Sequence, residues 1–138
     1  PGVTLIVTPT VALALDHQTA AEHLGIFGHP SAYIGGASAE QREGMNRRIR
    51  QGTQGLCFAS PEAACGPLRP ALMAAAEAGV LRAIVVDEAH LVDAWGANFV
   101  ASFQVLSGLR AALLNAAPPD ARARSPLDES CVNIRSRR

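Results

Sequence analysis

Four short apolar runs, each bounded by turn residues, constrain the fold of this chain more than any other feature of its sequence. The first and the last, residues 4–8 and 82–87, are too continuously apolar for an antiparallel strand with one face in water. Runs of this kind are typical of buried parallel strands. The other two runs are residues 31–34 and 55–60. The sequence therefore predicts strands of a mainly parallel β-sheet at these four places.

Two helix starts follow directly after strands. Thr8 precedes Pro9, and Ser60 precedes Pro61, so each pair offers an N-cap residue followed by a proline at the first helical position. The first pair predicts a helix that runs to about residue 24.

Further helices are predicted from capping and from periodicity. Ser38 and Gln41 have the spacing of a capping box, and Met45 and Ile49 follow on one helix face. A helix over residues 70–78 ends at a glycine. The last helix ends at a pair of prolines, and these of its side chains keep close to the helical period: Phe99, Phe103, Leu106, Arg110 and Leu113.

Strands and helices thus alternate at intervals of roughly 25 residues, which is the signature of βαβ units. The predicted fold class is α/β, with a mainly parallel sheet flanked by helices. Ligands of such sheets bind beyond the carboxyl ends of the strands. The candidate functional residues are therefore those that follow the apolar runs, namely residues 8–10, 60–62 and 87–90.

The strongest chemical signal is an apolar strand followed at once by Asp87, Glu88, Ala89 and His90. An aspartate at the strand tip can hold Mg²⁺ on the β- and γ-phosphates of a nucleotide, and the adjacent glutamate can polarise the attacking water. His90 could sense the γ-phosphate. The alternative is an acidic pair that only caps a strand. The order of these residues favours nucleotide hydrolysis.

Composition limits this interpretation. All twelve basic residues are arginines, so the chain has no phosphate-binding loop of the form G-x-x-x-x-G-K-[ST], which needs a lysine. The net charge is zero, which argues against nucleic-acid binding by charge alone. No apolar run approaches the roughly 20 residues that span a bilayer, and no signal segment precedes the first strand. We therefore predict a cytoplasmic protein.

Three other groups of side chains have ordinary explanations. His17, His23 and His29 are six residues apart and would not share a helix face, so a metal site is not predicted. The arginines of the helix after the capping box could contact phosphates, although a solvated helix face is the commoner meaning: Arg42, Arg47, Arg48 and Arg50. The cysteines are irregularly spaced and are predicted to be reduced, mostly buried thiols: Cys57, Cys65 and Cys131.

The chain resembles the first RecA-like domain of superfamily 2 DNA helicases, and most closely the RecQ group. Residues 7–13 resemble motif Ia, residues 58–62 resemble motif Ib with its S-P-E, and residues 87–90 match the D-E-A-H of motif II. The resemblance implies that Asp87 binds Mg²⁺, Glu88 orients the water and His90 relays the nucleotide state. It also implies that a single-strand track is lined by these residues: Thr8, Pro9, Thr10, Ser60, Pro61 and Glu62.

The RecQ character comes from the segment after motif II. Trp95, Gly96 and Phe99 resemble the aromatic-rich loop of that group, which links single-strand binding to hydrolysis. The face of Trp95 could stack on an unpaired base, worth ~1–3 kcal/mol. Alternatively, Trp95 and Phe99 pin the loop onto the last helix. The resemblance favours contact with DNA for both Trp95 and Phe99, whereas Phe103 is assigned to the core.

The chain departs from the family pattern in its loop and at both ends. Ala97, Asn98 and Val100 stand where the loop usually has a histidine, an aspartate and an arginine. Motif I is missing and is expected upstream of Pro1. Motif III is expected soon after Pro119, but no suitable strand follows there. A second RecA-like domain with its arginine finger is also missing.

These observations predict a fragment of an ATP-dependent, RecQ-like DNA helicase of the kind used in DNA repair. Residues 1–119 would be a partial ATP-binding domain, and residues 120–138 an irregular or disordered tail. The implied cofactors are ATP and Mg²⁺, and the implied partners are single-stranded or duplex DNA and the missing second domain. By itself the chain is expected to be inactive. Two alternatives remain open, namely a non-enzymatic remnant or nucleic-acid-binding module, and a fragment of an RNA helicase.

Overall fold

The computed structural model describes residues 2–26, 28–87 and 97–124. In these ranges the chain forms one four-stranded sheet, in which every pair of neighbouring strands is parallel. The predicted α/β class, with a parallel sheet flanked by helices, is confirmed. The strands are β1 (Val3–Val7), β2 (Ser31–Ala32), β3 (Gly55–Ala59) and β4 (Leu81–Val86).

The strand order is β2-β3-β1-β4, so the first strand of the chain lies inside the sheet. Val7 is level with Ala59 of β3 on one side and with Val86 of β4 on the other. Val3, Leu5 and Val7 are at most 1% exposed, and the residues between them are partly exposed. One face of β1 therefore lies in the main core, and Ile6 on the other face is partly buried against the cluster of α1.

Helices cover both faces of this sheet. Ala14 and Ala21 of the first helix pack on Phe58 and Ile6, while the opposite face packs on the second, fourth and fifth helices through side chains such as Leu109. The helices are α1 (Val11–His23), α2 (Ala39–Gln51), α3 (Pro61–Cys65), α4 (Arg69–Glu77), α5 (Ala97–Ala116) and α6 (Pro119–Arg124).

Two of the predicted helix starts are confirmed. The Ser38 hydroxyl accepts from the backbone N–H of Gln41, and the Gln41 side chain accepts from the backbone N–H of Ser38, which completes the capping box of α2. Ser60 caps α3, with Pro61 in the first turn. Both caps satisfy backbone donors that the helix itself leaves unbonded.

The predicted start of α1 is wrong. Thr10, not Thr8, is the N-cap, and its hydroxyl accepts from Leu13 N at 3.2 Å. Thr8 still belongs to the edge of the sheet, since its backbone N–H donates to Ala59 O of β3 at 2.9 Å. Its hydroxyl donates to Thr10 O at 3.2 Å, which ties the strand end to the cap. Three residues, 8–10, thus connect β1 to α1.

Two smaller expectations also differ from the structure. The predicted strand at 31–34 is reduced to Ser31–Ala32, although Tyr33 still donates from its backbone to Phe58 O. Residues 120–124, predicted to be part of an irregular tail, form the helix α6 together with Pro119. Residues 125–138 lie outside the described part of the chain.

Cys57 and Cys65 are free thiols, as predicted, and Cys131 lies outside the described residues. Cys57 is fully buried, and burial raises the pKa of its thiol to about 12. Among the helices of the described ranges, none is long and apolar enough to cross a membrane.

Candidate functional site

The carboxyl ends of β3, β1 and β4 lie side by side and bring the three sequence motifs to one edge of the sheet. Thr8 N donates to Ala59 O, and Asp87 N donates to Val7 O, each at 2.9 Å. These two bonds continue the ladders past the ends of the strands. Thr8 is therefore held between the exit of β3 and Asp87. The sequence predicted this common edge, because parallel strands share the edge at which they end.

Asp87 is bonded to a side chain that the sequence analysis did not connect with it. His17 Nε2 lies 2.7 Å from Asp87 Oδ2, and both side chains are about one third exposed, at 38% and 32%. A carboxylate oxygen only accepts hydrogen bonds, so His17 donates from Nε2. Asp87 is thus fixed from its strand by the backbone and from α1 by this histidine.

Phe58 supports the other side of His17. The two rings stack with centroids 5.9 Å apart and planes inclined by 23°. Phe58 is only 2% exposed, so it cannot move without disturbing the core between α1 and the sheet. The imidazole is therefore held between a rigid ring and a carboxylate.

The helical period places His17 on the inner face of α1 but does not give its partner. Ala14 and Ala21 are the buried residues of α1, and His17 lies three residues after the first and four before the second. That spacing places a residue on the inner face of the helix. Asp87 lies on another element, 70 residues further along the chain, so no local pattern connects the two.

The S-P-E segment begins α3 and also contacts α5. Pro61 is buried, whereas Glu62 is exposed and its Oε1 accepts from the Ser102 hydroxyl at 3.0 Å. Partial burial acts to raise the pKa of Glu62. Hydrogen bonds from its own backbone and from Ser60 and Ser102 outweigh this effect and hold the pKa below its ordinary value of 4.5. Glu62 therefore carries a negative charge at neutral pH.

Some of the remaining predicted residues lie in the described part of the chain and others lie outside it. Thr10 is exposed and Pro9 half-buried at the same sheet edge. Glu88, His90 and Trp95 lie outside the described residues. Phe99 belongs to α5, but its side chain and that of Phe103 lie outside the description.

Two of the arginines of α2 bond to groups of the protein itself. Arg48 Nε donates to Gln54 Oε1 at 2.9 Å, and Arg50 donates to Glu43 Oε1 at 2.6 Å. Gln54 is completely buried, so the first contact is part of the packing between α2 and β3. Arg48 and Arg50 therefore have partners within the protein.

Asp87 has the chemistry that a magnesium–nucleotide complex requires. Mg²⁺ in such complexes takes one or two protein carboxylates and fills its other positions with phosphate oxygens and water. A partly exposed carboxylate at a strand end can supply that one ligand. Within the described ranges, no cluster of three or more histidine, cysteine, aspartate or glutamate side chains could hold a metal by itself.

Comparison with known proteins gives consistent relatives. A RecQ-like DNA helicase of Caenorhabditis elegans is 31% identical over 121 residues, which are 86% of this chain and 12% of that protein. An ATP-dependent DNA helicase of Mus musculus is 31% identical over 120 residues, 83% of this chain and 12% of the relative. One from Arabidopsis thaliana is 32% identical over 111 residues, 77% of this chain and 11% of the relative.

No protein-family model matches the chain. The chain spans about an eighth of the length of the relatives it matches. Over that stretch, the four-stranded parallel sheet with flanking helices agrees with a part of a RecA-like domain. Helicases of a nematode, a mouse and a plant match most of this chain at similar identity. The chain therefore belongs to the RecQ-like DNA helicases and corresponds to a short part of their length.

Proposed function

We propose that this chain supplies part of the nucleotide-hydrolysing and strand-binding machinery of an ATP-dependent DNA helicase. The observation that carries the proposal is the common edge at which Asp87, Thr8 and Ser60 follow neighbouring parallel strands. The residue that would bind the metal–nucleotide complex and the residues that would contact the DNA backbone are then joined by short, rigid connections. The names of the relatives, which are DNA helicases, support the same activity.

In this proposal Asp87 would hold Mg²⁺, whose charge would stabilise the phosphates of ATP during hydrolysis. Glu88 orients the attacking water and His90 relays the nucleotide state, as in the family that the motif resembles. Repeated hydrolysis would drive movement along single-stranded DNA and unwinding of the duplex. A second RecA-like domain would complete the ATP site with an arginine finger.

The strand-binding part comprises two segments at the sheet edge. Pro9 and Thr10 leave β1, and residues 60–62 leave β3 beside them. Thr8 is 1% exposed, and its backbone N–H and hydroxyl are both bonded within the protein, so it supports this edge from inside. An exposed hydroxyl such as that of Thr10 can contact a phosphate without reading sequence. Trp95 and Phe99 would add stacking on unpaired bases. The zero net charge of the chain means that this binding depends on local contacts and not on a general attraction.

Strand binding can be tested by following backbone amide resonances while a short oligothymidylate is added at low salt. We expect the largest shifts at the amides of Thr10, Ser60 and Glu62. The arginine-bearing helix α2 serves as an internal control, because Arg48 and Arg50 are bonded to protein groups. Shifts confined to α2, or none at all, would contradict the proposed track. An oligouridylate that binds better would favour an RNA helicase.

Hydrolysis is tested separately. The sequence has no lysine for a phosphate-binding loop, so we expect no DNA-stimulated ATPase activity from this chain alone. Phosphate release is measured with and without single-stranded DNA, and Glu88→Gln is the control for contaminating enzymes. A DNA-stimulated rate that disappears in Glu88→Gln would show that the chain needs no partner for hydrolysis.

A further inference from the structure

We propose that His17 is a positioning residue that fixes the carboxylate of Asp87 in the orientation in which it binds the divalent metal. This inference rests on the proposed function, since it assigns a role to His17 only through the metal that Asp87 would hold. The motifs do not include His17, which lies within α1, 70 residues before Asp87 in the sequence. The contact forms because β1 and β4 are neighbours in the sheet, so that α1, which follows β1, lies near the end of β4.

The geometry supports a fixing role. The distance of 2.7 Å between His17 Nε2 and Asp87 Oδ2 is that of a short, charge-assisted hydrogen bond. The terminal torsion of an aspartate is broad and allows many orientations of its carboxylate. A donor on Oδ2 selects one of them and directs the plane of the carboxylate.

The histidine is itself prevented from turning away. Its ring stacks on Phe58, which is 2% exposed, and its backbone lies in the middle of α1, between the buried residues Ala14 and Ala21. The neighbouring Gln18 cannot replace it, because its Oε1 accepts from Ala32 N at 2.7 Å and its Nε2 donates to Glu22. The donor at Asp87 is thus preorganised.

Outer partners of this kind tune metal binding in many proteins. Carboxylates that bind metals are themselves hydrogen-bonded, and loss of such a partner typically lowers metal affinity about 10- to 100-fold. The expected consequence of losing His17 is therefore weaker metal binding at Asp87, with the fold preserved. A glutamine at position 17 can still donate an N–H and should retain most of the effect.

The experiment uses Mn²⁺ alone as the probe and follows amide signals near Asp87, which a bound paramagnetic ion broadens even at weak affinity. In the wild-type chain the amides of Asp87 and Thr8 should broaden first, and Asp87→Asn should abolish this. His17→Ala should raise the Mn²⁺ concentration for half-broadening at least about tenfold, and His17→Gln should restore it to within about threefold. Circular dichroism confirms that each variant is folded.

His23→Ala is the matched control, because His23 lies in the last turn of the same helix and is exposed. It should leave the Mn²⁺ titration unchanged. If the wild-type chain shows broadening at Asp87 and a folded His17→Ala variant broadens at the same or a lower Mn²⁺ concentration, the positioning role is wrong while the metal site stands. If the wild-type chain shows no broadening at Asp87, the metal role in the proposed function fails as well.

Discussion

At the scale of single residues, Gln54 shows how a buried polar side chain can organise its surroundings. It is completely buried, donates to Leu56 O at 3.1 Å and to His29 O, and accepts from Arg48 Nε at 2.9 Å. One amide group thus joins α2, β3 and the segment that leads into β2. Buried polar groups are tolerated when they are bonded in this way.

Replacement of Gln54 by alanine should therefore destabilise the protein. The variant leaves the carbonyls of His29 and Leu56 without this donor, which costs about 1–3 kcal/mol in the free energy of unfolding. Urea denaturation followed by circular dichroism measures the loss. Gln51→Ala is the control, because Gln51 is exposed at the end of α2 and should change the stability by less than about 0.5 kcal/mol. Equal effects at the two positions would contradict the proposed role of the buried amide.

Local rules predicted the caps at Ser38 and Ser60, since a capping signal depends on residues within one helical turn. The same rules misplaced the start of α1. Thr8 remains in the ladder with β3 through a bond between segments distant in sequence. His17 was missed for the same reason, because its partner Asp87 lies on another element. Sequence reasoning was thus reliable where the determinant is local.

At the scale of elements, α5 is joined to α3 by a polar bond as well as by packing. Ser102 of α5 donates to Glu62 in the first turn of α3. Leu106, Leu109 and Leu113 are buried in the main core on the same helix. The segment that the sequence assigns to strand binding and the helix after the aromatic-rich loop are therefore mechanically connected.

The bond predicts a specific pH response. The pKa of Glu62 is lowered in the folded state, so its stabilising contribution is present above the unfolded pKa near 4.5 and is lost as the pH falls through the folded value. Ser102→Ala removes one of the hydrogen bonds that lower this pKa, and the pKa should rise. A ¹³C titration of the Glu62 carboxyl group measures the change.

Ser107→Ala provides the comparison, since Ser107 is an exposed residue on the same helix. This variant should have the same Glu62 pKa as the wild-type chain. A Glu62 pKa that is identical in the Ser102→Ala variant would mean that the two helices are not coupled through this bond.

Element boundaries followed the strength of the pattern that predicted them. The long, periodic α5 and the apolar runs of β1, β3 and β4 were placed to within a few residues. The short β2 was overextended, and α6 was missed because its six residues offer too few turns for a periodic pattern. The division into a domain of residues 1–119 and a tail of 120–138 stays a prediction beyond residue 124.

At the scale of the whole molecule, the thiol of Cys57 can report on opening of the core. It is fully buried in β3, and its pKa of about 12 leaves almost no thiolate near neutral pH. Cys65 is half-buried at the end of α3. At pH 8, iodoacetamide should modify Cys65 much faster than Cys57, and added urea should accelerate Cys57 most. Peptide mapping by mass spectrometry measures both rates. Comparable rates without urea would show that β3 is not the stable interior of the sheet.

The position of β1 inside the sheet also sets the order in which the molecule can be assembled during synthesis. Val3 is level with Gly55 on one side and with Leu81 on the other, so its neighbours are made long after it. Pairings between such distant segments are slow to form, because a long loop must close before any of them is gained. The first apolar strand must therefore wait, without its partners, until the ribosome has released β3 and β4. During that interval residues 3–7 are an unpaired apolar segment of the kind that chaperones protect.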